Sequence, residues 1–381
     1  MIPEIVFNAT LLSFFDPVRR YLDDPSVTEV MINGPGKIYI ERKGKLHKVE
    51  ETFPTVKSLY AALRNAAQYV GKHVDEERPI LEGRLPDGSR VAAVLPPAGN
   101  GGPYVAIRRF FGEKLTMNKL LEFESLTPDA AEMIRVLVEC KQNVVISGGT
   151  SSGKTSLLNA ISELIPEDER VVVIEDSKEL ALLRDHVVTL EGRPADAKGR
   201  GEVTIRQLFK TTLRMRPDRI VIGELRGGEA LDLVQAMTSG HGGCLTTLHA
   251  TYPRDVMTRL ETMSMMADIE MPLAAMRAQI ASAVDIVVQG TRYRDGTRKV
   301  THISEVTGFD METGKYTIND LFIRKVKGVD ANGRVISSLK PTGNLPDCME
   351  TILAAGMDVP ASVHEMRYRK EQKMRQQGGS S

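Results

Sequence analysis

Residues 28–31 and 37–41 are short strand-like runs, and Asn33-Gly34-Pro35-Gly36 between them carries turn chemistry. Residues 56–69 instead repeat apolar positions at helical spacing, through Leu59, Leu63, Ala66 and Ala67. Residues 83–97 read as two strands around Pro86-Asp87-Gly88, a hairpin signal. A Pro- and Gly-rich loop follows at 96–103, then a last strand at 105–111. The first 111 residues therefore predict a small α+β domain, with 112–127 as a linker.

Beyond residue 128, short β-rich runs alternate with helical patterns. The strands expected are 143–147, 170–174, 186–190, 219–222, 244–248 and 286–289; the helices are 128–140, 154–164, 205–215, 228–239 and 253–266. Such alternation implies βαβ units and a largely parallel sheet with helices on both faces, here over residues 128–326. A β-rich stretch at 299–322 closes it. From 327 to 381 the pattern weakens, which predicts a partly disordered C-terminal extension with a frayed end at Gln376-Gln377-Gly378-Gly379-Ser380-Ser381.

Composition narrows this picture. The 381 residues allow two or three domains, and an apolar share of 41% with 26% charged is that of an ordinary soluble protein. Lys plus Arg equals Asp plus Glu at 50 each, which argues against a dedicated nucleic-acid binder. Cys140, Cys244 and Cys348 are far apart, odd in number and without a Cys-x-x-Cys pair. That argues against a disulfide framework or a four-cysteine zinc site, and for free thiols in a reducing cytosol. Residues 1–15 are interrupted by Glu4 and lack a basic lead, so they do not read as a secretory signal. No apolar run approaches the roughly 18 residues of a membrane span, so any membrane role is expected to run through partners.

The chemistry concentrates in the second domain. Gly148-Gly149-Thr150-Ser151-Ser152-Gly153-Lys154-Thr155, followed by Ser156, fits G-x-x-x-x-G-K-[ST] between a β-run and a helix. Glycines permit the tight turn that aims successive N–H groups at phosphate oxygens, and the following helix adds its positive end. Lys154 is expected on the β/γ-phosphates of ATP and Thr155 on Mg²⁺. Val171-Val172-Val173-Ile174-Glu175-Asp176 is a buried strand ending in two carboxylates, at the strand end where open α/β sheets bind ligands. Glu175 is a candidate to position or activate the attacking water; the plain alternative for either acid is a helix cap or a solvated loop. Ile220-Val221-Ile222-Gly223-Glu224 has the Walker B layout, with Glu224 a candidate for the Mg²⁺ shell. His241 and His249 flank Gly242-Gly243-Cys244-Leu245-Thr246-Thr247-Leu248, and His249 is a candidate γ-phosphate sensor unless it is structural. Arg193, Arg200, Arg214, Arg216 and Arg226 crowd these motifs, and Arg90, Arg108 and Arg109 sit in or beside strands of the first domain. Guanidinium groups can fork onto phosphate oxygens, although most surface arginines are merely solvated.

In this order the motifs resemble those of the secretion ATPase superfamily of type II and type IV secretion and type IV pili. The resemblance rests on Glu175-Asp176, Gly223-Glu224-Leu225-Arg226-Gly227-Gly228-Glu229-Ala230 and Ser239-Gly240-His241 with Leu248-His249-Ala250, all after the Walker A loop. Stretches 213–220, 254–262 and 294–305 are most similar to the CpaF/TadA branch, the assembly ATPases of Tad (Flp) pili. The resemblance spans about residues 27–322. It implies a RecA-like P-loop ATPase domain preceded by a smaller α+β N-terminal domain, assembled as a hexameric ring with ATP between subunits. It also implies Glu175 in an Asp box, Glu224 in Walker B, His249 in a His box, and Arg90 and Arg108 supplied by the N-terminal domain. Such rings work at the cytoplasmic face of the inner membrane on a polytopic platform protein. The four-cysteine zinc module of type II and type IVa extension ATPases is missing, which favours Tad-type, VirB11-like or retraction-type motors.

The expected reaction is ATP + H₂O → ADP + Pi with Mg²⁺, driving assembly, or retraction, of a pilus or secretion apparatus. Two alternatives stand beside it: a VirB11-like type IV secretion ATPase, which shares every motif, and a nucleic-acid-translocating P-loop motor, against which the balanced charge argues.

Overall fold

The computed structural model describes residues 13–42, 44–109, 115–195 and 199–378. The end of the strand expected at 105–111, the start of the linker, residues 1–12 and Gly379-Ser380-Ser381 lie outside the described residues. The chain divides into two compact units, which among the described residues are 13–109 with 199–200, and 115–195 with 201–378.

The first unit contains α1 (Asp16–Asp23), β1 (Val27–Asn33), β2 (Ile38–Arg42), β3 (Lys45–Val49), α2 (Val56–Tyr69), β4 (Ile80–Arg84), β5 (Arg90–Val94) and β6 (Tyr104–Arg108). Its six strands form one antiparallel sheet in the order β3-β2-β1-β6-β5-β4. Alternate residues point to one face: Val30 and Ile32, Ile38 and Ile40, Val91 and Ala93, Val105 and Ile107 are buried. They pack with Leu59, Ala62, Leu63, Ala66 and Ala67 of α2. That helix starts at a reciprocal cap in which the Ser58 N–H donates to Thr55 Oγ1 and the Thr55 N–H to Ser58 Oγ. Strand β3 escaped the sequence reading because Lys45-Leu46-His47-Lys48 is an exposed edge with no apolar alternation.

The second unit opens with α3 (Met117–Glu122), α4 (Pro128–Glu139), β7 (Val144–Gly148), α5 (Lys154–Ser162), β8 (Val171–Glu175), β9 (Val187–Glu191) and α6 (Ile205–Thr212). It continues with β10 (Arg219–Ile222), α7 (Glu229–Thr238), β11 (Leu245–Leu248), α8 (Pro253–Met265), α9 (Leu273–Ala283) and β12 (Ile286–Arg292). The nine-stranded sheet has the order β15-β14-β13-β12-β7-β11-β10-β8-β9, where β13 (Arg298–Asp310), β14 (Lys315–Val329) and β15 (Val335–Pro341) are the later strands. Strands β12, β7, β11, β10, β8 and β9 run parallel, and β13, β14 and β15 follow antiparallel. Every residue of β7, β8, β10 and β11 is buried, because helices cover both faces. Alternation survives inside the apolar runs: Val144, Ile146, Val171 and Val173 pack with Leu137, Leu158 and Ile161 of α4 and α5. Val145, Val172, Ile174 and Ile222 pack on the other side with Leu233, Val256 and Ile280 of α7, α8 and α9.

The extension expected from residue 327 differs from what the structure shows. Strand β14 continues through Val329, β15 forms the sheet edge, and α10 (Met349–Ala354) and α11 (Ala361–Gly378) follow. Ile352, Val359 and Val363 are buried in the same core as Leu158 and Ile161. The signal is diluted because Lys325, Val326 and Lys327 are all exposed, so the end of β14 buries no apolar face that a period of two would reveal.

Candidate nucleotide-binding site

The phosphate-loop sequence lies where β7 ends and α5 begins. Gly153 is the residue before the helix, with φ 89°, and Ser151 also has a positive φ of 58°. Gly148 is dictated by packing: a Cβ there would lie 2.4 Å from Ser152 Oγ and 2.5 Å from the Gly290 carbonyl oxygen. A Cβ on Gly149 would meet nothing within 4 Å, so the protein's own packing does not require glycine at that position. The Ser152 hydroxyl is buried and has no hydrogen-bond partner among the described residues. A turn of this shape at a helix N-terminus, with an unsatisfied buried hydroxyl and a lysine, fits a phosphate group. Thr155 is half-buried, whereas Thr150 and Ser156 are exposed.

Lys154 is buried, and its ammonium donates to the Gly149 carbonyl at 3.3 Å. It also lies 3.2 Å from His249 Nδ1. His249 follows β11, which runs parallel to β7 with Leu248 opposite Ser147, so His249 lies at the strand end where the phosphate loop starts. His241 precedes β11 and lies at the opposite end, away from that loop. His249 Nε2 is 2.8 Å from Glu224 Oε1, just beyond the end of β10. The Lys154 ammonium is also 3.4 Å from Nε2, so it lies against the ring and not on one lone pair, and the short contact to the Glu224 carboxylate places a proton on Nε2. Partial burial and the Lys154 charge lower the His249 pKa, which outweighs the opposing pull of Glu224.

Glu224 Oε2 accepts from Arg226 Nε at 2.8 Å and from Nη2 at 2.5 Å. Arg226 Nη1 in turn donates to Asp176 Oδ2 at 3.3 Å, just past the end of β8. A chain of polar contacts, Lys154–His249–Glu224–Arg226–Asp176, thus crosses the ends of four adjacent strands. Of the five arginines near these motifs, Arg226 joins this chain of contacts, a role that the sequence pattern alone does not single out.

Glu175 is different. It is 4% exposed, and its Oε1 accepts the N–H groups of Glu179 and Leu180, both at 2.9 Å. Burial raises its carboxyl to about 7; the two amides pull it back, and the charges of Glu179 and Glu191 add to the rise. Thr155 and Glu224 offer the hard oxygen donors that Mg²⁺ takes, so the donor chemistry fits that ion.

Arg90 and Arg108 belong to the first unit, directly opposite each other on β5 and β6. Arg84 on β4 faces Arg90, so three arginines occupy one row across three strands. Glu29 on β1 continues the row beside Arg108. Like charges directly opposite destabilise a ladder, and Glu29 beside Arg108 brings the opposite charge into this row. Arg84 was missed because only strand register reveals the row. Arg109 instead donates to the backbone carbonyls of Asp24 and Val27.

A profile for the family described as "Type II/IV secretion system protein" matches residues 13–330. The chain belongs to that family. Curated relatives of this type II/IV secretion protein include TrbB, a conjugal transfer protein of Rhizobium radiobacter, 34% identical over 301 residues that cover 78% of this chain and 89% of that one. VirB11, a type IV secretion system protein of Brucella suis biovar 1, is 33% identical over 324 residues, covering 76% of this chain and 88% of its own. A putative conjugal transfer protein of Mycobacterium tuberculosis is 32% identical over 289 residues, 74% of this chain and 82% of that protein. The fold is shared with the ATPase DotB of Legionella pneumophila, at a TM-score of 0.53 and 19% identity over 79% of this chain and 82% of that one. It is shared too with the pilus retraction motor PilT bound to ADP, at 0.51 and 13% over 96% and 89%. This family member thus has an N-terminal domain followed by a RecA-like domain. Among the described residues no helix is long and apolar enough to cross a membrane.

Proposed function

We propose that this secretion-family protein hydrolyses ATP and works as a hexameric motor on a pilus or secretion apparatus at the bacterial inner membrane. The observation that carries the reading is the polar chain from Lys154 to Asp176 across four strand ends, beside a phosphate-shaped loop. Phosphoryl transfer needs positioning and charge neutralisation more than covalent chemistry, and this site supplies both. The loop amides, Ser152 and Lys154 bind and orient the phosphates. Thr155 and Glu224 would hold Mg²⁺, which would supply charge neutralisation at the phosphate oxygens. Glu175, with a carboxyl near 7, is suited to take a proton from the attacking water. His249 links the lysine to the metal acid. Arg90 and Arg108, with Arg84 in the same row, would neutralise γ-phosphate charge and bring the first unit into the reaction.

For the apparatus, the motif stretches 213–220, 254–262 and 294–305 support a Tad-type pilus assembly motor acting on a polytopic platform protein. The names of the relatives, conjugal transfer and type IV secretion proteins at 32–34% identity, favour a VirB11-like role as the second reading. Deleting the gene separates them: loss of surface pili with transfer intact supports the first, and the reverse supports the second.

The test of the chemistry is phosphate release beside circular dichroism. Lys154→Ala is expected to abolish turnover and keep the fold. Near-normal turnover in that variant would remove the phosphate-loop assignment.

A further inference from the structure

We infer that Arg298 is a positioning residue for the phosphate loop, and that the β12–β13 hairpin carrying it braces that loop from outside. The inference rests on the nucleotide-binding reading above. Strand β12 lies parallel beside β7, with Gly290 opposite Gly148. Its chain returns through a turn in which the Tyr293 N–H donates to the Thr297 carbonyl at 2.8 Å and the Thr297 N–H to Asp295 Oδ1 at 2.9 Å. Asp295 Oδ2 also accepts the Val335 N–H at 2.8 Å, which ties the turn to β15. Arg298 then opens β13. Its Nε donates to the Ser151 carbonyl at 2.9 Å, and its Cδ lies 3.2 Å from where a Cβ on Gly153 would stand. The backbone beneath it is fixed, because Ser125 Oγ donates to the Arg298 carbonyl at 2.6 Å and the Val300 N–H donates to the Ser125 carbonyl at 3.0 Å.

The physical need for such a brace is local. Ser151 at φ 58° and Gly153 at φ 89° both hold the left-handed conformation that folds the loop around a phosphate. Glycine adopts it freely; serine does not. A charged donor on the Ser151 carbonyl offsets that preference from a hairpin 147 residues away in sequence. The Nε–H is rigidly placed on a planar group, which a lysine ammonium does not reproduce.

The experiment measures binding of a fluorescent ATP analogue to the full chain, with thermal melts and steady-state kinetics alongside. Arg298→Met keeps an aliphatic stem over Gly153 and removes the donor. It is expected to weaken binding on the order of 10-fold and raise KM, with kcat changed less than about 3-fold, as loss of one charged hydrogen bond implies. Adding Ser151→Gly removes the backbone cost, so the double variant should recover most of the binding. A role in fold stability alone would lower the melting temperature, and Ser151→Gly would not restore binding; that result overturns the inference. Wild-type affinity in Arg298→Met overturns it too and leaves the nucleotide-binding reading standing. Failure of the wild-type chain to bind the analogue overturns both.

Discussion

Two neighbouring strand ends carry the same sequence signature and opposite electrostatics. Strands β8 and β10 lie parallel with Ile174 opposite Ile222, both are fully buried, and both run into a glutamate. On β8 the acid is still inside the strand, so Glu175 turns into the protein and gains two amide donors but no cation among the contacts described above. On β10 a glycine intervenes. A Cβ on Gly223 would lie 3.0 Å from Glu175 Cγ, so this glycine leaves room for the first acid and displaces the second one position outward. Glu224 therefore meets Arg226 and His249. One carboxyl is set up to exchange a proton near neutrality; the other faces a guanidinium and an imidazole.

The comparison breaks most sharply on Glu175→Gln. Glutamine keeps the oxygen that accepts the two amides, so the fold and nucleotide binding are expected to persist. Turnover is expected to fall roughly 10²- to 10⁴-fold, the range for a lost general base. Wild-type turnover should rise with pH through about 7, and this limb should vanish in the variant. Stability changes the other way. A carboxyl raised from 4.5 to about 7 contributes most when protonated, below 4.5, and loses that contribution as pH rises through 7. The variant lacks this loss, so its stability relative to wild type should grow by about 3 kcal/mol between pH 4.5 and 8, read by urea unfolding. Unchanged turnover would reduce Glu175 to an anchor of the 179–180 segment.

Smaller is the effect expected at the other end. Glu224→Gln should shift the Mg²⁺ concentration needed for half-maximal turnover by about 10- to 100-fold, the range seen when partners of a metal site are altered. Nucleotide binding without Mg²⁺ should change little. If Glu175→Gln moves the Mg²⁺ dependence and Glu224→Gln does not, the two roles are exchanged.

Much of this was legible because the chemistry sits where regular elements end. The glycine spacing of 148–155 needs only its own backbone, and the apolar runs before Glu175 and Glu224 announce buried parallel strands. His249 followed from the same logic. What stayed hidden depends on contacts across long stretches of chain. Arg298 reaches Ser151, Arg226 bridges Glu224 and Asp176 across 50 residues, and the arginine row of Arg84, Arg90 and Arg108 exists only in the register of three strands. The last strand and helices were missed for another reason. Strand β15 alternates weakly, and α11 is polar along most of its length, so its docking depends on Val363 and its flank Val359.

The smallest effect concerns Arg226, which joins the two strand ends. Its side chain is 57% exposed, and Asp176 is 62% exposed, whereas Glu224 is 21% exposed. Exposed pairs contribute about 0–1 kcal/mol, because water screens the charges and ordering both side chains costs entropy. The Glu224 contact is shorter and less hydrated than the 3.3 Å contact to Asp176. Double-mutant cycles should therefore give a coupling of up to about 1 kcal/mol for Arg226→Ala with Glu224→Gln, and close to zero for Arg226→Ala with Asp176→Asn. Raising the salt concentration should shrink the first coupling further. A larger coupling to Asp176 than to Glu224 would mean that Arg226 belongs to the β8 end, and the contrast between a buried, amide-bound carboxyl and one paired with a guanidinium would lose its cation.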